Sequence, residues 1–142
     1  MYSPQKFGAH NYERIGIESS VLGANPHELV VLLFAGARRA VRMARLQMQN
    51  GNIAEKGRLI SHAIAIIGGG LQQGLNLEKG GELAQHLNGL YAYMTRRLLE
   101  ANLNNDPAPL EEVDNLLATV EEGWIGIKGQ VTGAAGRIAT AG

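Results

Sequence analysis

Four histidines, thirteen acidic side chains and a few serines are the groups on this 142-residue chain that acid–base, metal or nucleophilic chemistry would use. Glu82 and His86 stand one helical turn apart, a spacing that suits two ligands on one helix face, but no second His or carboxylate completes a metal site. The plainer reading is a surface pair. His86-Leu87-Asn88-Gly89 offers the solvent-facing histidine of a phosphotransfer bundle. The lysine that would neutralise an incoming phosphoryl group is replaced, so that chemistry lacks its main electrostatic support. Gly68-Gly69-Gly70 is followed by no Lys and Ser or Thr, and it sits inside a helical pattern rather than after a strand, so it is no phosphate loop. Ser19, Ser20 and Ser61 have no base at predictable reach, and the absence of cysteine excludes thiol catalysis, disulfides and cysteine-ligated metal. No catalytic residue, metal or cofactor is expected, and the chain is read as a protein that is not an enzyme.

Composition narrows what remains. Thirteen basic and thirteen acidic side chains cancel, leaving no net field to attract nucleic acid or acidic lipid. The first twenty residues carry Lys6, His10, Glu13 and Arg14 among apolar ones, unlike a secretory signal, and the longest apolar run, 29–37, is too short to span a bilayer. A soluble cytoplasmic protein is expected. Its length suits one domain with a core that needs no staples.

The clearest structural signal is Asn25-Pro26-His27-Glu28 running into the apolar stretch 29–34. Asn25 can cap a helix, Pro26 fits the first position where an N–H is not needed, and Glu28 can reach back to the cap amide. In this first helix Leu29, Leu32, Leu33, Gly36, Ala40 and Met43 recur at steps of three and four, opposite Arg38, Arg42, Arg45 and Gln49. Its apolar start goes all the way round, which calls for a cover besides the neighbouring helices. The preceding Ile15, Ile17, Val21 and Leu22 are the candidates.

Asn50-Gly51 ends this helix, and Asn52 with Glu55 predicts a second capping box. The second helix runs from Ile53 to about Leu75 on a stripe of Ile60, Ile64, Ile67 and Leu71, with Leu59, Ala63 and Ile66 beside it. Its interior glycines, 68–70, must be held straight by burial or kink the helix. Leu83, Leu87, Leu90, Met94, Leu98 and Ala101 mark the third helix. Val113, Leu117, Val120, Trp124 and Ile127 mark a fourth, opened by 106–109. Short connections predict an all-α fold, an antiparallel up-down-up-down four-helix bundle over 25–128, with an N-terminal capping segment over 1–24 that is partly helical or extended. The Gly- and Ala-rich stretch 129–142 is expected to be a disordered tail. Arg38, Arg39, Arg42 and Arg45 on the first helix face Glu111, Glu112, Asp114, Glu121 and Glu122 on the fourth, neighbours in that topology.

Apolar side chains exceed what one core stripe per helix requires, among them Leu59, Ile66, Tyr91, Tyr93 and Leu99. A wide core accounts for some of them and a partner surface for the rest. Tyr12 is an aromatic in a polar segment, suited to a loop anchor or a removable plug.

Several blocks in order resemble the flagellar secretion chaperone FliS family: Ala24-Asn25-Pro26-His27-Glu28-Leu29, Leu33-Phe34-Ala35-Gly36-Ala37, Lys56-Gly57, Gly80-Gly81-Glu82-Leu83-Ala84, Leu90-Tyr91-Ala92-Tyr93-Met94, Arg96-Arg97-Leu98-Leu99, Ala101-Asn102 and Glu111-Glu112-Val113. The resemblance covers about residues 1–127. It implies a cytoplasmic antiparallel bundle that binds the disordered C-terminal segment of newly made flagellin, prevents early polymerisation and assists delivery to the flagellar type III export apparatus. Other flagellar regulators and export-gate components are further partners it suggests. It also implies a mobile N-terminal segment whose tyrosine, matching Tyr12, contributes to the flagellin site. Tyr12, Ile15, Ile66, Tyr91 and Leu99 are the candidate partner-binding residues. The family's usual Asp-Gly-Ala is Ala35-Gly36-Ala37 here, and Gly68, Gly69 and Gly89 replace more polar residues. The alternatives are a phosphotransfer bundle with His86 as phospho-acceptor and a purely structural bundle that self-associates through its spare apolar faces.

Overall fold

A computed structural model describes residues 25–126; the expected cap over 1–24, which carries Tyr12 and Ile15, the tail over 129–142, and Ile127 of the fourth stripe lie outside the described residues. Among the described residues there are four α-helices and no strand: α1, Pro26–Gln49; α2, Ile53–Ile66; α3, Gly81–Asn104; and α4, Pro107–Gly126. A π-helical turn, Ile67–Gln72, continues α2. The all-α bundle read from periodicity is the fold.

The start of α1 follows its residue types. Asn25 Oδ1 accepts from the Glu28 amide at 2.8 Å, and Pro26 occupies the first turn. Glu28 closes the box differently from the expected reach to the cap's backbone amide. Its carboxylate accepts from the Asn25 side-chain Nδ2 at 2.6 Å, because an asparagine cap brings its own donor to the same place. The second capping box does not form. Asn52 donates to Gln47 across the turn at 2.6 Å, and Glu55 is held by both ends of the Arg58 guanidinium at 2.7 Å. A bidentate charged pair outcompetes a carboxylate-to-amide bond. Gly51, at φ +77°, makes the turn between α1 and α2 possible.

The three glycines lie in the π-helical turn that continues α2. Without Cβ atoms the backbone widens, and the Gln73 amide reaches the Gly68 carbonyl five residues back at 3.3 Å. The absence of a side chain also admits α1, because a Cβ on Gly70 would lie 3.0 Å from a Leu33 methyl. At its far end α3 stops on Asn105 in the left-handed region, φ 52°. Lys56, 3 % exposed, donates from Nζ to the Asn102 carbonyl and to Asn105 Oδ1, both at 3.1 Å. A buried ammonium on the negative end of α3 is where a helix terminus favours a cation.

α1 packs against α2 and α4, and α3 against α4 and the α2–π segment. Bonds between neighbours pair rising with falling residue numbers. Along α1 and α4 the partners are His27 with Trp124, Arg38 with Glu121 and Asp114, and Arg45 with Glu111. Lys56 meets Asn105 while Gln72 meets Asn88. The core is built from Phe34, Val41, Ile60, Ile67, Met94, Leu98, Leu110 and Leu117, among others.

One helix face differs from its periodic reading. The buried positions of α1 are Leu33, Phe34, Ala37, Ala40, Val41, Ala44 and Met48, whereas Leu32 and Met43 of the expected stripe are exposed. Two neighbours press on α1, and the arc between them centres on small Ala37, Ala40 and Ala44, which let backbones approach. The larger apolar residues at 32 and 43 are left outside. Leu83 of the expected α3 stripe is likewise half exposed, while Ala84 beside it is buried.

Candidate functional site

That rotation of α1 creates the most distinctive surface among the described residues. Leu32, Met43 and Leu46 are 41 %, 38 % and 52 % exposed, and with Ala35 and Arg39 they recur at steps of three and four on one line. Two open grooves follow this line where α1 meets α4. The first, about 350 Å³, is lined by His27, Glu28, Val31, Leu32 and Ile125. The second, about 280 Å³, is lined by Ala35, Arg38, Arg39, Arg42, Met43 and Glu121. From Glu28 to Met43 the track runs about 22 Å along the helix axis at the usual rise per residue.

A clasp and an ion-pair row hold the walls of this track. Trp124 donates from Nε1 to the His27 carbonyl at 3.1 Å, and His27 Nε2, 3.0 Å from the Trp124 carbonyl, donates back. Their rings stack at 4.9 Å and 14°. The tautomer that this requires leaves His27 Nδ1 as a buried acceptor without a partner among the described residues. Farther along, Arg38 bonds Asp114 at 2.9 Å and Glu121 at 2.8 Å, while Arg42 takes the other Asp114 oxygen at 3.1 Å. The hydrogen bonds that Arg38 donates to Asp114 first, then to Glu121, hold its guanidinium above its ordinary pKa. Arg39 is exposed and has no hydrogen bond or ion pair among the described residues.

Among the described residues no three His, Asp or Glu side chains are placed to share a metal. What these grooves offer is an apolar floor with a charged rim, the surface that an amphipathic helix fills. No helix among the described residues is long and apolar enough to cross a membrane.

A model of the family described as flagellar protein FliS matches residues 8–131. The chain belongs to the FliS family. FliS relatives agree along most of their length. The chain is 48 % identical over 117 residues to the flagellar secretion chaperone FliS of Salmonella typhimurium, covering 82 % of this chain and 87 % of that protein. It is 49 % identical over 116 residues to the flagellar secretion chaperone FliSB of Pseudomonas aeruginosa, covering 82 % and 91 %. It is 32 % identical over 109 residues to the FliS of Bacillus subtilis, covering 75 % and 78 %. The FliS match contains all four helices and continues on both sides of the described residues.

The candidate partner residues of this FliS chain fall into three groups. Tyr12 and Ile15 lie outside the described residues. Ile66 is fully buried and Tyr91 is 3 % exposed, both within the central core, where burial pushes the Tyr91 phenol up to about 12. Leu99 is 54 % exposed on α3, with Leu103 one turn on at 84 %. Of the three described residues, Ile66 and Tyr91 lie in the core and Leu99 on the surface. Sequence reasoning missed Leu32, Met43 and Ile125, which periodicity or their place in a stripe consigned to the core or passed over. The usable signal was the Arg38, Arg42 and Arg45 row, because matching it to the α4 carboxylates places α4 on that side of α1. His86 is exposed and has no ion pair among the described residues.

Proposed function

We propose that this chain is a cytoplasmic flagellar export chaperone that binds the disordered C-terminal segment of flagellin, prevents its premature polymerisation and assists its delivery to the type III export apparatus, without catalysis. The observation that supports this reading is the exposed apolar track on α1 in a chain whose FliS match includes all four described helices. A disordered client that folds on binding presents amphipathic helices, which can lie in such a track and exchange water for apolar contact. Ordering the client offsets part of that gain, commonly by several kcal/mol, so a long interface can still release at the export gate. Residues 1–24 are proposed to shield part of the apolar start of α1 in the free protein and to move when the client binds. Tyr12, Ile15 and Leu99 are proposed as further client contacts, and Ile66 and Tyr91 would join them only if the bundle opened around them.

Calorimetric titration with the C-terminal segment of flagellin from the same cell tests the reading. Saturable one-to-one binding with a negative heat-capacity change is expected. No binding at high micromolar client overturns it. Removal of residues 1–18 is expected to change the affinity while the bundle stays folded, and an unchanged affinity would remove the shielding role.

A further inference from the structure

Arg39 is singled out by its surroundings. The neighbouring guanidiniums of the second groove are engaged, Arg38 with Asp114 and Glu121 and Arg42 with Asp114. Residues one turn away from Arg39 on its own helix are Ala35, Gly36, Arg42 and Met43, none of which carries a carboxylate. Arg39 therefore stands at the rim of the second groove, beside Ala35 and Met43, with no ion pair among the described residues. We propose that Arg39 determines client register: it pairs with a carboxylate beside the apolar stripe of a client helix about four turns long, whose apolar residues fill the track from Glu28 to Met43. This inference rests on the chaperone reading and deepens it.

Two observations support that occupant. The track is about 22 Å long, which matches about four helical turns. Its first groove is floored by Val31, Leu32 and Ile125, and its second joins Ala35 and Met43 to guanidiniums, so the two halves want different side chains. A helix slid by one turn would place an apolar residue against Arg39 and strand its own carboxylate over the apolar groove. Charge at a rim discriminates among registers in this way, because the mispaired arrangement leaves desolvated polar groups unmatched. Guanidinium suits the task because its donors form a planar fork that takes a carboxylate through two bonds.

The test is calorimetric binding of the full chain to the flagellin C-terminal segment at low and high ionic strength. Arg39→Glu is expected to weaken binding about tenfold or more, and Arg39→Gln several-fold with a flatter salt dependence. Lys79→Glu, a reversal on the exposed α2–α3 connection, serves as the control and is expected to bind as wild type. Replacing client carboxylates singly by amides should identify one whose loss has no further effect in Arg39→Gln. Wild-type binding with Arg39→Glu equally tight overturns the Arg39 assignment and leaves the chaperone reading standing. Strict additivity of every client substitution with Arg39→Gln also overturns it. Failure of the wild-type chain to bind overturns both. Circular dichroism checks the fold of each variant, which should be intact because Arg39 bonds to nothing among the described residues.

Discussion

His27 and Trp124, 97 positions apart, hydrogen-bond to each other's backbone carbonyls while their rings stack, so the last turn of α4 is fastened to the first turn of α1. This clasp shapes the first groove, since His27 and Ile125, the neighbour of Trp124, are both in its lining. His27→Ala removes a stack and one of the two bonds. The expected loss is about 2 kcal/mol, roughly 1 from each source. Urea unfolding followed by the emission of Trp124, the single tryptophan, measures it. A loss below about 0.5 kcal/mol would show that the clasp is not holding the helix ends.

The exposed track separates binding from stability. Leu32→Asp and Met43→Asp place charges at positions already in contact with water, so stability should change by about 0.5 kcal/mol or less. Client affinity should fall by about tenfold or more, as for a residue near the centre of an interface. Equal affinity for both variants, measured by the same titration as wild type, would move the client to another face. Leu99→Asp, on α3, tests the alternative face in the same series.

Lys56 ties the beginning of α2 to the end of α3. Lys56→Met keeps most of the buried aliphatic volume but leaves the Asn102 carbonyl and Asn105 Oδ1 without their donor. A loss of about 2–3 kcal/mol is expected from a charged donor removed at a buried site. Asn105→Ala should cost more than Asn105→Gly. Both lose the Oδ1 contact, and only glycine accepts φ 52° without steric cost. Chemical denaturation of the three variants ranks them.

The glycines of the π-helical turn differ in what surrounds them. A methyl group at Gly68 meets nothing within 4 Å, so Gly68→Ala should stabilise by about 0.5–1 kcal/mol through backbone entropy. At Gly70 the same methyl meets Leu33 Cδ2 at 3.0 Å and Cδ1 at 3.2 Å. Leu33 is itself enclosed, and Gly70→Ala should destabilise by about 1–3 kcal/mol. Thermal melts should move in opposite directions, and a shared direction would contradict the tight packing at Gly70.

Stability should fall at both ends of the pH range. Glu112 accepts from Tyr93 Oη at 2.6 Å and from Arg97 Nε at 2.6 Å, and these bonds, Tyr93 first, hold its carboxyl below its ordinary pKa of 4.5. A depressed folded pKa contributes stability above the unfolded value, which is lost as pH falls through the folded one. Glu112→Gln should therefore flatten the acid limb of a denaturation-versus-pH curve. Tyr91 works in the opposite sense. Its buried phenol stays neutral to about 12, against 10.0 in the unfolded chain, so the stability it lends is intact below 10 and is lost as pH rises towards 12. Tyr91→Phe should soften the alkaline limb, and an unchanged limb would place that loss elsewhere.

The four helices, the stop at Asn50-Gly51, the Asn25 cap and the facing of Arg38, Arg42 and Arg45 towards Glu111, Asp114 and Glu121 were legible in the sequence, because each depends on residues a few positions apart or on a repeat along one helix. Glu112 of the expected row turns to Tyr93 and Arg97 instead. Only the tertiary structure decided which side of α1 is covered. Its apolar residues run round the whole first half, so periodicity alone does not choose between faces. Packing chose the small residues Ala37, Ala40 and Ala44, where two neighbours can approach together, and left Leu32 and Met43 outside. The same rule drew Ile66 and Tyr91 into the core and left Leu99 on the surface, since burial depends on what lies across from a side chain and not on its hydrophobicity alone. The exposed apolar track assembled from α1 and α4, and an Arg39 without an ion pair among the described residues beside it, exist only once the chain has brought residues about ninety positions apart into contact.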